Sequence, residues 1–278
     1  MEDSQVAIVT GGASGIGRAL CGQLVARGTR VVIADFNLPG AEQAAQELGP
    51  LATAAALDVT DADAFEQVVA GVFERHGRLD MLFNNAGIGG VGMAEDLSAA
   101  DWKRIVDVNL YGVIHGVAAA YPRMVQQGFG HIVNTASGAG LAPRPGMTPY
   151  STAKFGVVGL TMSLRAEAAT HGIHVSVACP GYVATNIMAA GEYKGIDMKK
   201  LTDGLPIGPI TADAAAAIIL RGADRNKLVI IDRFYVWLDW FLTRLAPRVA
   251  VWAAGYRTSA FRGAKIDADA PAQAVAKS

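Results

Sequence analysis

Val6-Ala7-Ile8-Val9-Thr10-Gly11-Gly12-Ala13-Ser14-Gly15-Ile16-Gly17 joins a short β-branched run to a glycine-crowded turn and then to the start of an amphipathic stretch. Glycines at such a turn let the chain bend sharply. They also let backbone N–H groups approach a phosphate and the following helix pack close on the strand. A pyrophosphate would then lie at the positive N-terminus of that helix. Glycine-rich turns are common, but one set between a first strand and a first helix is a specific dinucleotide-binding signature.

The same alternation continues outward from this stretch. Strand candidates are Val6–Val9, Arg30–Ala34, Ala52–Leu57, Met81–Phe83, His131–Thr135, His174–Ala178 and Lys227–Ile231. Helix candidates between them are Gly15–Arg27, Leu38–Leu48, Ala62–His76, Ala99–Gln127, Pro149–His171 and Ala212–Arg221. Strand and helix in strict succession predict an α/β fold: a single Rossmann-like domain whose parallel sheet of about seven strands is doubly wound, with helices on both faces. The strand runs are continuously apolar, as strands buried on both sides must be.

Composition agrees with that class. The chain has 278 residues, 51% apolar and only 18% charged, with a formal net charge of −1. The mean hydropathy of +0.28 raises the question of a membrane protein, yet much of the excess is alanine and glycine. No run of some 18 predominantly apolar residues is present. The charge balance leaves no basic face for nucleic acid. Cys21 and Cys179 are too few for a disulfide framework and read as small core residues in a reducing cytosol. The acidic start, Met1-Glu2-Asp3-Ser4, is unlike a signal peptide. A cytoplasmic protein is expected.

Chemistry-bearing residues cluster where strands end. Asp35 closes the second strand, about twenty residues beyond the glycines, where a carboxylate accepts from ribose hydroxyls and repels a 2′-phosphate; that favours NAD over NADP. Asn84-Asn85-Ala86-Gly87 follows the fourth strand, and Asn109 lies in the next long helix. Ser137 follows the fifth strand. Tyr150 and Lys154 stand four residues apart at a helix start and so share one face. Carboxyl ends of strands are where open α/β sheets bind ligands. Five scattered histidines form no ligand set with carboxylates at metal spacing, and no Gly-x-Ser-x-Gly elbow marks a hydrolase.

Taken in order and spacing, the glycine turn, Asn84–Gly87, Asn109, Ser137, Tyr150 with Lys154, and Pro180-Gly181 resemble the short-chain dehydrogenase/reductase family over residues 5 to 231. The resemblance implies hydride transfer between a nicotinamide cofactor and an alcohol or ketone. Tyr150 would be the acid/base. Lys154 would lower its pKa, together with the oxidised nicotinamide, and would hold the nicotinamide ribose. Ser137 would hold the substrate oxygen, and Asn109 a water in a proton path. It further implies cofactor contacts from Gly11, Ser14, Gly15, Ile16 and Gly17, and from Asp35 with Phe36. Asp58 and Val59 would lie near the adenine, and Asn85, Ala86 and Gly87 along the cofactor. Pro180, Gly181, Val183 and Thr185 would border the nicotinamide. A homodimer or homotetramer is implied as well. An NADP-linked carbonyl reductase and a non-catalytic dinucleotide sensor are the competing readings.

One segment departs from the strand–helix alternation and another from the family pattern. Residues 182–209 form a long insertion without clear periodicity and are expected to be a lid, apolar enough to favour a lipophilic alcohol or ketone. Beyond the enzyme at 1–232 comes an extension at 233–260, then a tail at 261–278 without an apolar stripe, expected to be flexible. At helical spacing Phe234, Leu238, Phe241, Leu242 and Leu245 fall on one side of the extension, opposite Asp239, Thr243 and Arg244. That stripe suits packing on its own domain or a second subunit, closing of the substrate pocket, or a membrane interface.

Overall fold

Residues along each strand point alternately to two different cores. Ile8, Leu82 and Ile132 enter one, while Val9, Phe83 and Val133 enter the other. The computed structural model describes residues 4–185, 187, 192–193, 196 and 208–263. Most of the expected lid (186, 188–191, 194–195 and 197–207) and residues 264–278 of the expected tail lie outside them.

The strands are β1 (Val6–Thr10), β2 (Arg30–Asp35), β3 (Ala52–Ala56), β4 (Met81–Asn84), β5 (Gly130–Thr135), β6 (Ile173–Cys179) and β7 (Val229–Ile231). They form one parallel sheet in the order β7-β6-β5-β4-β1-β2-β3. The order reverses between β1 and β4. Such a reversal leaves a crevice at the carboxyl ends, where the connections diverge to opposite faces. Helices α1 (Gly15–Ala26), α2 (Leu38–Leu48) and α7 (Ala212–Asp224) belong to one face. On the other lie α3 (Ala62–His76), α5 (Gly112–Gln127) and α6 (Thr148–Ala168). Buried side chains such as Phe65, Leu82 and Ile132, each worth about 1.5–3 kcal/mol on leaving water, hold the layers together.

Local signals set the helix ends. Asp61 caps α3 by accepting from the Ala64 N–H, and Gly77 ends it in the left-handed region. Ser98 and Asp101 form a reciprocal capping box on α4 (Ala99–Val106). The stretch Ala99–Gln127, which reads as one helix, is interrupted by a π turn over Asp107–Tyr111. Its cause is local. The Asn109 side-chain amide donates to the Ile105 carbonyl at 3.0 Å, competing for the acceptor that a regular ladder would offer Asn109's own N–H.

The extension is two helices, α8 (Phe234–Leu245) and α9 (Pro247–Gly263), broken at Ala246-Pro247. Its orientation differs from that suggested by the stripe. The side of α8 facing the domain carries Val236, fully buried with Leu141, Val177 and Cys179, and Asp239, ion-paired with Arg144 at 2.7 Å. Phe234, Leu238, Phe241 and Leu245 face outward. Val236, with Tyr235 and Trp240 packed beside it, and one ion pair outweigh the wider apolar face because they have complementary partners on the domain. Among the described residues, no helix is long and apolar enough to cross a membrane.

Candidate active site

The turn after β1 is built for close approach. Gly11 and Gly15 have φ of +64° and +52°, values that L side chains rarely adopt. A Cβ on Gly17 would stand 2.1 Å from the Gly11 carbonyl oxygen, so α1 can lie this close only with glycine there. Ser14, the residue before α1, makes no side-chain capping bond, and the first turn holds no acid. Among the described residues the amides there have no side-chain acceptor, an arrangement that fits a dinucleotide pyrophosphate.

Asp35 is tied into the same cradle. One carboxylate oxygen accepts the Ala13 N–H at 2.9 Å, and the other accepts the Asn37 N–H at 2.9 Å. Each oxygen keeps a second acceptor site. The Leu57 N–H donates to the Asp35 carbonyl at 3.0 Å, which brings Asp58 and Val59 beside the end of β2. Val59 is buried against Gly112, and Asp58 is held in a turn by the Thr60 hydroxyl and N–H. Phe36 stands apart on the rim, 81% exposed.

Across the switch point, the Thr10 hydroxyl accepts the N–H groups of Asn85 and Ala86 at 2.9 and 3.0 Å. The Asn85 amide donates to the Thr10 carbonyl. Asn85, Ala86 and Gly87 are thereby fastened against the glycine turn, and a Cβ on Gly11 would meet Ala86 Cα at 2.9 Å. In the sequence Thr10 reads only as the first residue of the glycine turn, with no role of its own. Asn84 points into the core, where its amide begins a buried chain through Asn134 to the Thr161 hydroxyl.

Ser137, Tyr150, Lys154 and Asn109 converge beside this crevice. Tyr150 and Lys154 share the inner face of α6 and are both buried, with Lys154 Nζ 5.7 Å from the Tyr150 ring centroid. Lys154 Nζ donates to the Thr135 carbonyl at 2.9 Å. Burial pushes the Lys154 ammonium down to about 8. Burial also raises the Tyr150 phenol, while the nearby Ser137 hydroxyl draws it back. In the chain alone, desolvation is the larger influence on the phenol. The Asn109 amide nitrogen is held by the carbonyls of Ile88 and Ile105. Its buried Oδ1 has no hydrogen-bond partner among the described residues and lies 2.8 Å from where a Gly87 Cβ would stand, with Lys154 Nζ 3.6 Å from the same point. Gly87 therefore leaves space that both polar groups border.

The far wall is Pro180–Thr185. The Gly138 N–H donates to the Pro180 carbonyl at 2.8 Å, zipping the Ser137 loop to it. Thr185 closes on the cradle, 3.3 Å from where a Gly15 Cβ would stand, and Val183 is buried in a short strand beside Ile210. Two residues without a sequence signal hold this wall. Asp232, one position past β7, accepts the Gly181 N–H at 2.8 Å. The Tyr235 hydroxyl accepts the Tyr182 N–H at 3.0 Å. Burial raises the Asp232 carboxyl, and the Gly181 bond opposes that rise.

Comparison with known proteins agrees with this geometry. The family model described as short chain dehydrogenase matches residues 5–194. The cyclohexanol dehydrogenase of Acinetobacter sp. is 37% identical over 210 residues, 74% of this chain and 82% of that protein. The D-threitol dehydrogenase of Mycolicibacterium smegmatis is 35% identical over 84% of this chain and 93% of its own. A short-chain dehydrogenase/reductase from Burkholderia phymatum, solved in complex with NAD, superposes with a TM-score of 0.82 at 28% identity. That match covers 89% of this chain and 95% of the other. The chain belongs to the short-chain dehydrogenase/reductase family and is an oxidoreductase built on a Rossmann-like nucleotide-binding fold.

Proposed function

We propose that the chain is an NAD-dependent oxidoreductase that interconverts a lipophilic secondary alcohol and its ketone, with Tyr150 as acid/base. The observation that carries this reading is the convergence of buried Tyr150 and Lys154, Nζ 5.7 Å from the Tyr150 ring centroid, with Ser137, whose hydroxyl opposes the rise of the phenol. A binding module has no need of such a proton-transfer pair. The bound dinucleotide supplies the hydride acceptor in oxidation and the donor in reduction.

The chain's own residues then divide the work. Gly11, Ser14, Gly15, Ile16 and Gly17 hold the pyrophosphate end; Asp35, with Phe36, takes the adenosine ribose, and Asp58 and Val59 flank the adenine. Asn85, Ala86 and Gly87 line the middle, and Pro180, Gly181, Val183 and Thr185 border the nicotinamide. Ser137 holds the substrate oxygen by hydrogen bonding as charge develops on it. Tyr150 takes the hydroxyl proton in oxidation and returns it in reduction. Lys154 binds the nicotinamide ribose, and its charge, together with that of the oxidised cofactor, offsets the desolvation that raises the phenol. Asn109 Oδ1 anchors a water in a proton path toward Lys154.

Asp35 supports NAD over NADP, because a carboxylate at that place repels a 2′-phosphate. The NAD complex of the Burkholderia phymatum relative points the same way. A lipophilic substrate is supported by the buried apolar residues Leu141, Ala142 and Val183 near the site and by the cyclohexanol dehydrogenase; the threitol enzyme makes a polyol the competing class. Unpaired buried Cys21 and Cys179 suit a reducing cytoplasm. Exposed Tyr111 and Phe155 suit a homodimer or homotetramer. In this reading the chain reaches a bilayer only peripherally, through residues 233–260.

A panel of cyclic, aliphatic and polyol alcohols and ketones, each with NAD and NADP and read as nicotinamide absorbance, tests the whole reading. Turnover of cyclic or long-chain secondary alcohols with NAD is the expected result. Turnover with NADP alone makes the chain a carbonyl reductase. Tight NAD binding without turnover of any compound makes it a sensor.

A further inference from the structure

The outward face of α8 carries a ladder of aromatic rings. Phe234 stacks on Trp237, and Trp237 on Phe241, with centroids 5.6 and 5.4 Å apart. Leu238 and Leu245 lie exposed on the same helix, and α9, which packs against α8, exposes Val249, Val251 and Trp252, the last at 64%. An exposed patch of this size on a folded chain marks an interaction surface.

Its charge is as unusual as its apolarity. Residues 233–263 contain five arginines and one aspartate, on a chain whose formal net charge is −1. That aspartate, Asp239, is turned inward in its ion pair with Arg144. Arg244, Arg248 and Arg262 are exposed, and the Arg244 guanidinium lies 5.4 Å from the centroid of the Trp240 ring. Tryptophan and arginine around a broad apolar stripe are the make-up of a helix lying in a bilayer interface.

We propose that the outward face of α8 and α9 docks on an anionic phospholipid surface. A second copy of this chain suits the face less well. A two-fold interface sets a patch against itself, and here arginines would meet arginines with no outward acid in the patch to pair with. An anionic membrane answers both the charge and the aromatic girdle. The first turn of α8 holds the Gly181-Tyr182 wall, so docking brings the site next to the lipid in which a lipophilic alcohol or ketone concentrates. The proposal rests on the peripheral-membrane part of the functional reading. Lipid binding is measured without substrate, so its failure and a failure of the enzymatic reading are separable.

The test is sedimentation of the full-length protein with vesicles of phosphatidylcholine alone or mixed with phosphatidylglycerol. Three proteins are compared: wild type, Phe241→Asp with Trp252→Asp, and Arg244→Gln with Arg248→Gln. Circular dichroism and NADH binding control for folding, and mass photometry reports assembly. Wild type is expected to pellet with the mixed vesicles, and several-fold less with phosphatidylcholine alone or at high salt. Each double variant is expected to bind the mixed vesicles roughly tenfold less or weaker still, with NADH binding unchanged. Equal partitioning on both lipids, or unchanged binding by the variants, overturns the proposal. So does absence of pelleting; if the aspartate variant then also lowers the mass of the assembly, the occupant is a second copy.

Discussion

The Tyr235 hydroxyl, on the first turn of α8, accepts the Tyr182 N–H at 3.0 Å, so the helix that follows the last strand is bonded to the wall that follows β6. The same oxygen would stand 2.4 Å from a Cβ on Gly181, which leaves room there for glycine alone. Removing the hydroxyl by Tyr235→Phe strands the Tyr182 N–H, at a cost of about 1 kcal/mol. A melting temperature lower by roughly 2–4 °C is expected. KM for the dinucleotide should rise several-fold, while kcat changes less. Calorimetry and initial rates check both; an unchanged KM would reduce Tyr235 to a purely structural contact.

Tyr150→Phe removes the acid/base and keeps the ring. kcat should fall at least about a hundredfold, the scale of a lost general acid–base group. Dinucleotide affinity, read by fluorescence titration, should stay near that of wild type. Substantial retained turnover would assign the proton transfer to another group.

Asp35→Ala deletes the carboxylate that faces the adenosine end and accepts the Ala13 and Asn37 amides. The ratio of kcat/KM for NAD to that for NADP should fall about tenfold or more, equivalent to ~1.4 kcal/mol. Some loss with both cofactors is expected too, because the cradle loses two hydrogen bonds. A ratio equal to wild type would remove Asp35 from cofactor selection.

Lys154 makes stability depend on pH with a definite sign. Its ammonium titrates at about 8 in the folded chain and near 10.4 when unfolded. Between those values the unfolded chain binds more protons, so stability rises with pH across that window and is flat below it. The full gain is on the order of 3 kcal/mol. Urea unfolding from mildly to strongly alkaline pH should display this slope as the difference between wild type and Lys154→Met. A difference independent of pH would show that Lys154 titrates alike in both states.

Arg144 and Asp239 join the loop after Ser137 to α8 through a pair that is mostly shielded from water. A double-mutant cycle on Arg144→Ala and Asp239→Ala should give a coupling of about 0.5–1 kcal/mol. The single variants should raise KM for the alcohol more than KM for NAD, because the pair anchors the substrate side. A coupling near zero would mean that Val236, Tyr235 and Trp240 seat the helix without help from the ion pair.

Most of the sheet and half of the site were readable one residue at a time. A glycine turn between an apolar run and a helix start, strands without polar alternation, and Tyr150 four residues ahead of Lys154 are local patterns. Each is imposed by backbone sterics, by burial on two faces, or by the helical period, and each survives with no knowledge of the rest of the chain. The seven strand candidates all lie in the observed sheet for that reason. The order of those strands, with its reversal between β1 and β4, is set by pairing between distant segments and is written in no single run.

Other features depend on contacts between segments far apart in the chain. The π turn at Asp107–Tyr111 exists because Asn109 finds the carbonyls of Ile88 and Ile105 together. The rise in the Tyr150 phenol comes from desolvation by a packed core, which adjacent residues cannot report. Which side of α8 faces inward was decided by Val236 meeting a pocket and Asp239 meeting Arg144. Helical period alone marks the apolar side, and here that is the side left outside. Periodicity counts apolar residues, whereas docking depends on complementary shape and charge on a partner surface, and only folding brings that surface into being.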